Sequence, residues 1–343
     1  MSPMSTIRAR RRLAAGWLAA VVAFAPAAAV VATPGATVAA TPATTTPATT
    51  LSPGSDGALR VASWNIEWLA ARDGAGAVPR RSVDYDRLHR YADELDADIV
   101  ALQEVEGAGA ARRVFDPGRY EFLFAAGGGS VQRAGFAWKK GLRVTPHPDF
   151  VAIGLDGRSR RAADITVHTA HGDLRLLSIH LKSGCASGRL DGPDAACAML
   201  RTQARRLEEW VDARAGEAVP FAVLGDFNRR FTAKDPFWNG LDDSDPPEAD
   251  LLDAGFGRHP PCWGGRYRQY IDHIVLSRTA ATWLVPNSFA QQVYDPADEA
   301  SAAVLSDHCP IIALLDSSRA ASPLRSSSTK EPGPGKKGLP ARP

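Results

Sequence analysis

Val304-Leu305-Ser306-Asp307-His308-Cys309-Pro310 is an apolar run that breaks at Ser306, sets an acid and an imidazole side by side, and resumes at Pro310-Ile311-Ile312. Adjacent side chains on a strand point to opposite faces, so Asp307 and His308 can share one site only at a strand mouth, where the chain turns. Five other short runs carry the same kind of polar residue. Val61–Glu67 offers Asn65 and Glu67, Asp98–Glu104 ends on Glu104, and Leu174–His180 ends on His180. Phe221–Asn228 ends on Asp226 and Asn228, and Tyr270–Leu276 carries Asp272 inside it. Length and β-branched content mark each run as a buried or half-buried strand.

One polar residue at a strand end is ordinarily a turn former. Two Asn, two Glu, three Asp and two His from six runs are hard to explain as turns. Binding and catalytic residues concentrate where strands give way to loops. Carboxylate and amide oxygens suit a hard cation such as Mg²⁺, Mn²⁺ or Ca²⁺. Neither His-x-x-x-His nor Cys-x-x-Cys occurs, which weakens a zinc reading.

Ser63-Trp64-Asn65-Ile66-Glu67, Leu102-Gln103-Glu104-Val105, Ser178-Ile179-His180-Leu181-Lys182, Gly225-Asp226-Phe227-Asn228, Ile271-Asp272-His273-Ile274 and Ser306-Asp307-His308-Cys309-Pro310 follow one another in this order. Together they resemble the endonuclease/exonuclease/phosphatase superfamily. That group includes pancreatic-type deoxyribonucleases, apurinic/apyrimidinic endonucleases, neutral sphingomyelinases and inositol-polyphosphate 5-phosphatases. The resemblance covers residues 58–316. It implies an α/β fold, the four-layered α/β sandwich of two packed mixed β-sheets flanked by helices.

Hydrolysis of a phosphate ester needs a cation on the phosphoryl oxygens, a base for water, and donors where charge grows. Within the resemblance, Glu104 is the leading metal ligand, with Asn65 and Glu67 beside it and Asp307 closing a second position. Superfamily members usually carry Asp or another residue at the position of Glu67. Asp226 is the base or water orienter, and Asn228 a donor to a phosphoryl oxygen. His308 donates to the scissile phosphate, kept cationic by Asp272. His180 resembles the His of deoxyribonucleases and sphingomyelinases, and is placed to bind substrate and assist the leaving oxygen. Arg160 or Arg161 is a candidate phosphate clamp, with Arg161 taken as the substrate-binding residue. His273 is expected to face away as a structural residue. The implied activity is a Mg²⁺-dependent phosphodiesterase (Mn²⁺ or Ca²⁺ being alternatives), acting as a monomer on nucleic acid. A sphingomyelinase-like phospholipase C, with Phe237-Trp238 or Trp283-Leu284 as lipid-facing loops, or a small-molecule phosphatase is the alternative. An inactive binding module on the same fold is a third reading.

Outside this region the composition changes. Arg8, Arg10, Arg11 and Arg12 precede the apolar stretch 13–25, followed by small residues. This is the pattern of a secretory signal over 1–32, with an N-terminal membrane anchor as the alternative. Residues 33–57 read as a Thr/Pro/Ala-rich linker, and 317–343 as a disordered basic tail. The net charge of +2 therefore conceals a core, 57–316, with 30 Lys/Arg against 36 Asp/Glu. An acidic core would bind nucleic acid through a local patch and a cation. Export permits disulfides. Cys185 and Cys197 bracket a short loop after His180 and are expected to pair, Cys309 is read as a buried apolar residue, and Cys262 has no assigned partner.

Helical periodicity predicts a helix over 84–97 capped by Ser82, and a second over 196–213 with Leu200, Ala204, Leu207 and Val211 as its inner stripe.

Overall fold

A computed structural model of the chain describes residues 57–126, 132–155, 160–217, 219–299 and 304–321. The expected signal segment, most of the linker and residues 322–343 lie outside these. Twelve strands are found among the described residues: β1 (Ala58–Leu69), β2 (Ile99–Val105), β3 (Tyr120–Phe124), β4 (Arg133–Lys139), β5 (Arg143–Pro146), β6 (Ala163–Thr169), β7 (Gly172–His180), β8 (Phe221–Asp226), β9 (Leu251–Asp253), β10 (Asp272–Ser277), β11 (Ala290–Gln291) and β12 (Ile311–Asp316). They form two mixed six-stranded sheets, ordered β11-β12-β1-β2-β4-β3 and β5-β6-β7-β8-β10-β9.

Alternation along the central strands builds four layers. Val61, Ile99 and Ala101 face inward and meet Ile165, Leu176, Leu224 and Ile274 from the other sheet. Their neighbours Ala62, Trp64, Val100 and Leu102 face outward against Leu88, Tyr91 and Leu95 of the helix Ser82–Leu95. On the second sheet Leu177, Ile179 and Val223 face outward against Leu200, Leu207 and Val211 of the helix Ala195–Ala215. This is the period-two pattern of strands buried on both faces.

Both helices are crossovers. β1 and β2 pair in parallel through the first helix, and β7 and β8 through the second. Parallel neighbours need such a connection, and their carboxyl ends consequently lie on the same edge. A buried polar bridge spans the sheets just below that edge: Ser63 Oγ donates to Gln103, whose amide donates to Ser178 Oγ, both at 3.3 Å.

Several local expectations change. Ser82 does not cap the first helix; its hydroxyl donates to Asp73, and Asp84 accepts from the Arg81 N–H at 2.8 Å. Asp194 caps the second helix, accepting from Ala196 and Cys197. Asp272 opens β10 rather than lying inside a strand. Cys185 pairs with Cys197 as expected. Cys309, read as a simple apolar residue, is instead bonded to Cys262, because β12 begins beside the turn Cys262–Gly265. Phe237, Trp238 and Trp283 are buried core, so no lipid-facing loop is built from them. Residues 317–321 form a short 3-10 turn with Ser317 buried, so ordered backbone continues past 316.

Candidate active site

The strand ends deliver the polar residues to one edge. Asn65 and Glu67 lie near the end of β1, Glu104 next to the last residue of β2, His180 at the end of β7, and Asp226 at the end of β8. Register then sets a row across the second sheet, with His180 beside Asp226 and Asp226 beside Asp272. His308 arrives from the loop before β12.

His308 Nδ1 donates to Asp272, at 2.8 and 3.0 Å from its two oxygens. The other ring nitrogen, Nε2, lies 3.7 Å from Asp226 Oδ2. Burial opposes a charge on this ring, but Asp272 and then Asp226 outweigh it and hold the pKa well above 6.5. His308 is therefore an imidazolium facing a carboxylate. Burial raises the pKa of Asp226 to about 7; His308 and the Asn228 and Asn65 donors pull it down, while Asp272 pushes it up. Asn65 Nδ2 donates to Asp226 at 3.1 Å and to Glu104 at 3.3 Å, so it joins the two halves of the site.

His180 has a different role from the one expected. Its Nε2 lies 3.4 Å from Asp226 and 3.5 Å from Glu104, and its Nδ1 has no partner among the described residues. Burial, reinforced by Arg160 and His308, pushes its pKa well below 6.5. The neutral form is thereby favoured, and an imidazole with its hydrogen on Nε2 can steady the two carboxylates. Asn228 also turns inward. Its amide donates to Leu181 O at 3.1 Å and to Asp226 at 3.0 Å, and its N–H donates to Asp226 at 2.7 Å, so it orients Asp226 rather than a phosphate. Gly225 is needed for a reason other than room for substrate: a Cβ there would lie 2.0 Å from the carbonyl of Ile179.

Of the two arginines, Arg160 is the one at the site. It donates to Gln132 at 3.0 Å and to Leu181 O at 3.2 Å, and Gln132 in turn donates to Glu104. Arg161, the expected clamp, makes no hydrogen bond or ion pair to the site among the described residues. Arg80 escaped the sequence reading altogether. It is fully buried and donates to Val304 O at 2.7 Å, Glu67 O at 2.8 Å and also Leu305 O, tying the end of β1 to the loop that carries His308. His273 faces away, as expected: its two nitrogens donate to Asp253 at 3.0 Å and Arg229 O at 2.9 Å.

The proposed cation ligands fit a hard metal by their chemistry. Burial raises the pKa of Glu67, and the charges of Asp307 and Glu104 push it the same way. Carboxylates that repel one another call for a cation among them. The backbone there is held in the left-handed region at three non-glycine residues, Glu67 (φ 34), Trp68 (φ 54) and Glu104 (φ 58). Such strain persists only where surrounding bonds impose it, and it gathers at functional sites. Asp307 is the outlying member, with its N–H on Glu67 at 3.0 Å and a side chain 64% exposed. Asp226, Asp272 and His308 also offer atoms within 4.8 Å of one another. His308 Nδ1 is engaged by Asp272, and the three are read as acid–base groups.

The profile of the Endonuclease/Exonuclease/phosphatase family matches residues 62–308. No curated protein matches the sequence. Among solved structures, a humanized D. rerio TDP2 with 14 mutations aligns at a TM-score of 0.50 and 20% identity, covering 76% of this chain and 99% of its own. Truncated Caenorhabditis elegans TDP2 aligns at 0.51 and 17% identity, covering 76% and 98%. At these identities the likeness bears on the fold alone.

Proposed function

Because the chain belongs to the Endonuclease/Exonuclease/phosphatase family, whose members are hydrolases acting on phosphodiester bonds, we propose that it is an exported, divalent-metal-dependent phosphodiesterase of nucleic acid. One observation carries the chemistry: a buried His308–Asp272 pair faces Asp226 across 3.7 Å, and Asn65 links Asp226 to Glu104. Export is supported by the basic, apolar, small-residue order of 1–32 and by four cysteines that form two bridges.

Glu104, Glu67 and Asn65 would hold the metal, with Asp307 at its open side. When bound, it supplies Lewis-acid stabilisation of charge on the phosphoryl oxygens. The remaining steps belong to the chain. Asp226, with a pKa near working pH, takes the proton of the attacking water. Asn228, Asn65 and His180 fix its carboxylate, so that one lone pair is aimed at the water. His308 donates from Nε2 to the phosphate as the water oxygen bonds to phosphorus and the ester P–O bond breaks, the leaving oxygen taking a proton from solvent, while Asp272 keeps the imidazolium charged and aims it. Arg160, next to Glu104, adds positive potential without leaving its bonds to Gln132 and Leu181.

The test is release of product by the purified chain from DNA, RNA, sphingomyelin and bis(p-nitrophenyl) phosphate, each with Mg²⁺, Mn²⁺ and Ca²⁺. Cleavage of a nucleic acid with a metal supports the reading. Hydrolysis of sphingomyelin alone would replace it with the lipid-directed alternative.

A further inference from the structure

Between Asp253 and Asp272 the chain runs 18 residues without an acid, although the core as a whole is acidic. The stretch contains Arg258, His259, Arg266 and Arg268, all exposed. Among the described residues none of them forms an ion pair. This segment walls two neighbouring cavities. One, of about 290 Å³, lies directly against His308 and Asp272 and is lined by Trp263, Arg266 and Tyr267. The other, of about 250 Å³, is lined by Arg258, His259 and Arg268. Gln269 and Tyr270 line both, so the two cavities adjoin on the side leading away from His308 and Asp272.

The first cavity has the composition of a stacking surface. The Arg266 guanidinium sits 4.7 Å from the centre of the Tyr267 ring and 5.7 Å from that of Trp263. Tyr267 is 41% exposed, with Arg266 beside its ring. Its wall is preformed. Trp263 adopts a left-handed backbone (φ 57), which costs a bulky residue energy. It is held there by the Cys262–Cys309 bond on one side and by its indole N–H, which donates to Asp307 O at 2.9 Å. In the second cavity His259 Nδ1 donates to Arg268 O at 2.9 Å, closing the loop on itself.

We infer that this segment binds a nucleic-acid strand that continues beyond the scissile phosphate. A base beside the cleaved bond stacks at Trp263, Arg266 and Tyr267, and a following phosphate lies at Arg258, His259 and Arg268. The inference deepens the proposed function and rests on it for the position of the scissile phosphate. Cationic side chains alternating with aromatic rings in a concave path are what single-stranded nucleic acid requires: charge for the backbone and flat faces for bases. An anionic membrane would be met by charge spread over a convex face, with apolar side chains to insert.

The experiment is fluorescence anisotropy of a labelled oligonucleotide of about 12 nucleotides, titrated with the full chain in EDTA so that no turnover occurs. A triple variant, Arg266→Ala with Tyr267→Ala and Arg268→Ala, is compared with wild type, and its melting temperature checks folding. Single Arg268→Ala serves if the triple variant does not fold. Wild type should bind, more weakly as salt rises. The triple variant should lose roughly tenfold or more in affinity. Its salt slope should fall by about 0.7 for each phosphate contact removed. No binding by wild type, or equal binding by the folded variants, overturns the inference. So does binding to phosphatidylserine vesicles that depends on these residues when oligonucleotide binding does not. Hydrolysis of bis(p-nitrophenyl) phosphate is scored separately. Its absence alongside variant-sensitive binding would bring down the proposed chemistry and leave this surface standing.

Discussion

The Asn65 amide donates to the Asp226 carboxylate at 3.1 Å, and this bond crosses from one sheet to the other. Asn65 belongs to β1 and Asp226 to β8, so the proposed base is aimed by a residue from the opposite layer. Any relative slide of the sheets would misdirect it. The Ser63–Gln103–Ser178 bridge lies where it can resist that slide.

Asn65→Ala should therefore reduce turnover more than it reduces stability. The loss of a buried donor to Asp226 is expected to cost about 1–3 kcal/mol in urea unfolding. Turnover should fall by roughly 10²-fold, because both the base and Glu104 lose their shared partner. Unchanged turnover in a folded variant would remove Asn65 from the site.

His308→Ala and Asp272→Asn should each lower turnover by about 10²–10³-fold, as lost donors at such sites do. The two act through one imidazolium, so the double variant should be little worse than either single variant. Losses that multiply would show that Asp272 serves some other group.

The pH profile should be bell-shaped. In the proposed mechanism Asp226 works as the ionised base, and its pKa is raised to about 7, so activity should grow as pH rises through that value. His308 works as the cation, and its pKa lies well above 6.5, so activity is lost as pH rises through that higher value. Both limbs are properties of the coupled pair. Asp272→Asn takes away a charge that raises the His308 value, and should bring the alkaline limb to lower pH. A limb that stays in place would separate His308 from Asp272.

Chelation should abolish hydrolysis, and Mg²⁺ or Mn²⁺ should restore it. Glu104→Gln should raise the metal concentration needed for half-maximal rate, because it removes a carboxylate charge from the proposed ligand set. Full activity in metal-stripped protein would sink the cation's role.

Peptide mapping without reductant should find Cys185 joined to Cys197, and Cys262 to Cys309. The bridges close loops of 12 and 47 residues in sequence separation. Chain entropy assigns them about 3 and about 4 kcal/mol. Cys262→Ser should thus destabilise more than Cys185→Ser in urea unfolding, and should also disturb the His308 loop. The reverse order would mean that folded-state contacts, rather than loop length, set the effect.

Strand ends were legible because period-two apolar runs are short and stop abruptly, and the residue at each stop is chemically conspicuous. Asn65, Glu104, His180 and Asp226 were readable this way, His308 from the break in its apolar run at Ser306, and Asp272 as an acid inside an apolar run. Arg80 was not. It stands beside Arg81 with no local difference, yet one is fully buried and the other exposed. What selects Arg80 is a set of backbone carbonyls, two of them more than two hundred residues away in the chain. Arg160 and Arg161 pose the same problem, and there the wrong neighbour was preferred. The Cys262–Cys309 bond was hidden for a related reason: its partners come from a loop and a strand start that meet only once the second half of the first sheet is assembled.

Gly57 and Ser317 meet at the beginning of β1, where the Gly57 carbonyl accepts both the Ser317 N–H and its hydroxyl at 3.0 Å. From there to Asn65 the strand travels on the order of 25 Å, so the folded unit opens and closes at the pole opposite its chemistry. That geometry makes the unit a good subject for circular permutation. A short linker could join 317 to 57, and new termini could be cut in an exposed loop. It also means that a tag, a surface tether or a fused domain attached at either boundary would leave the catalytic edge facing outward.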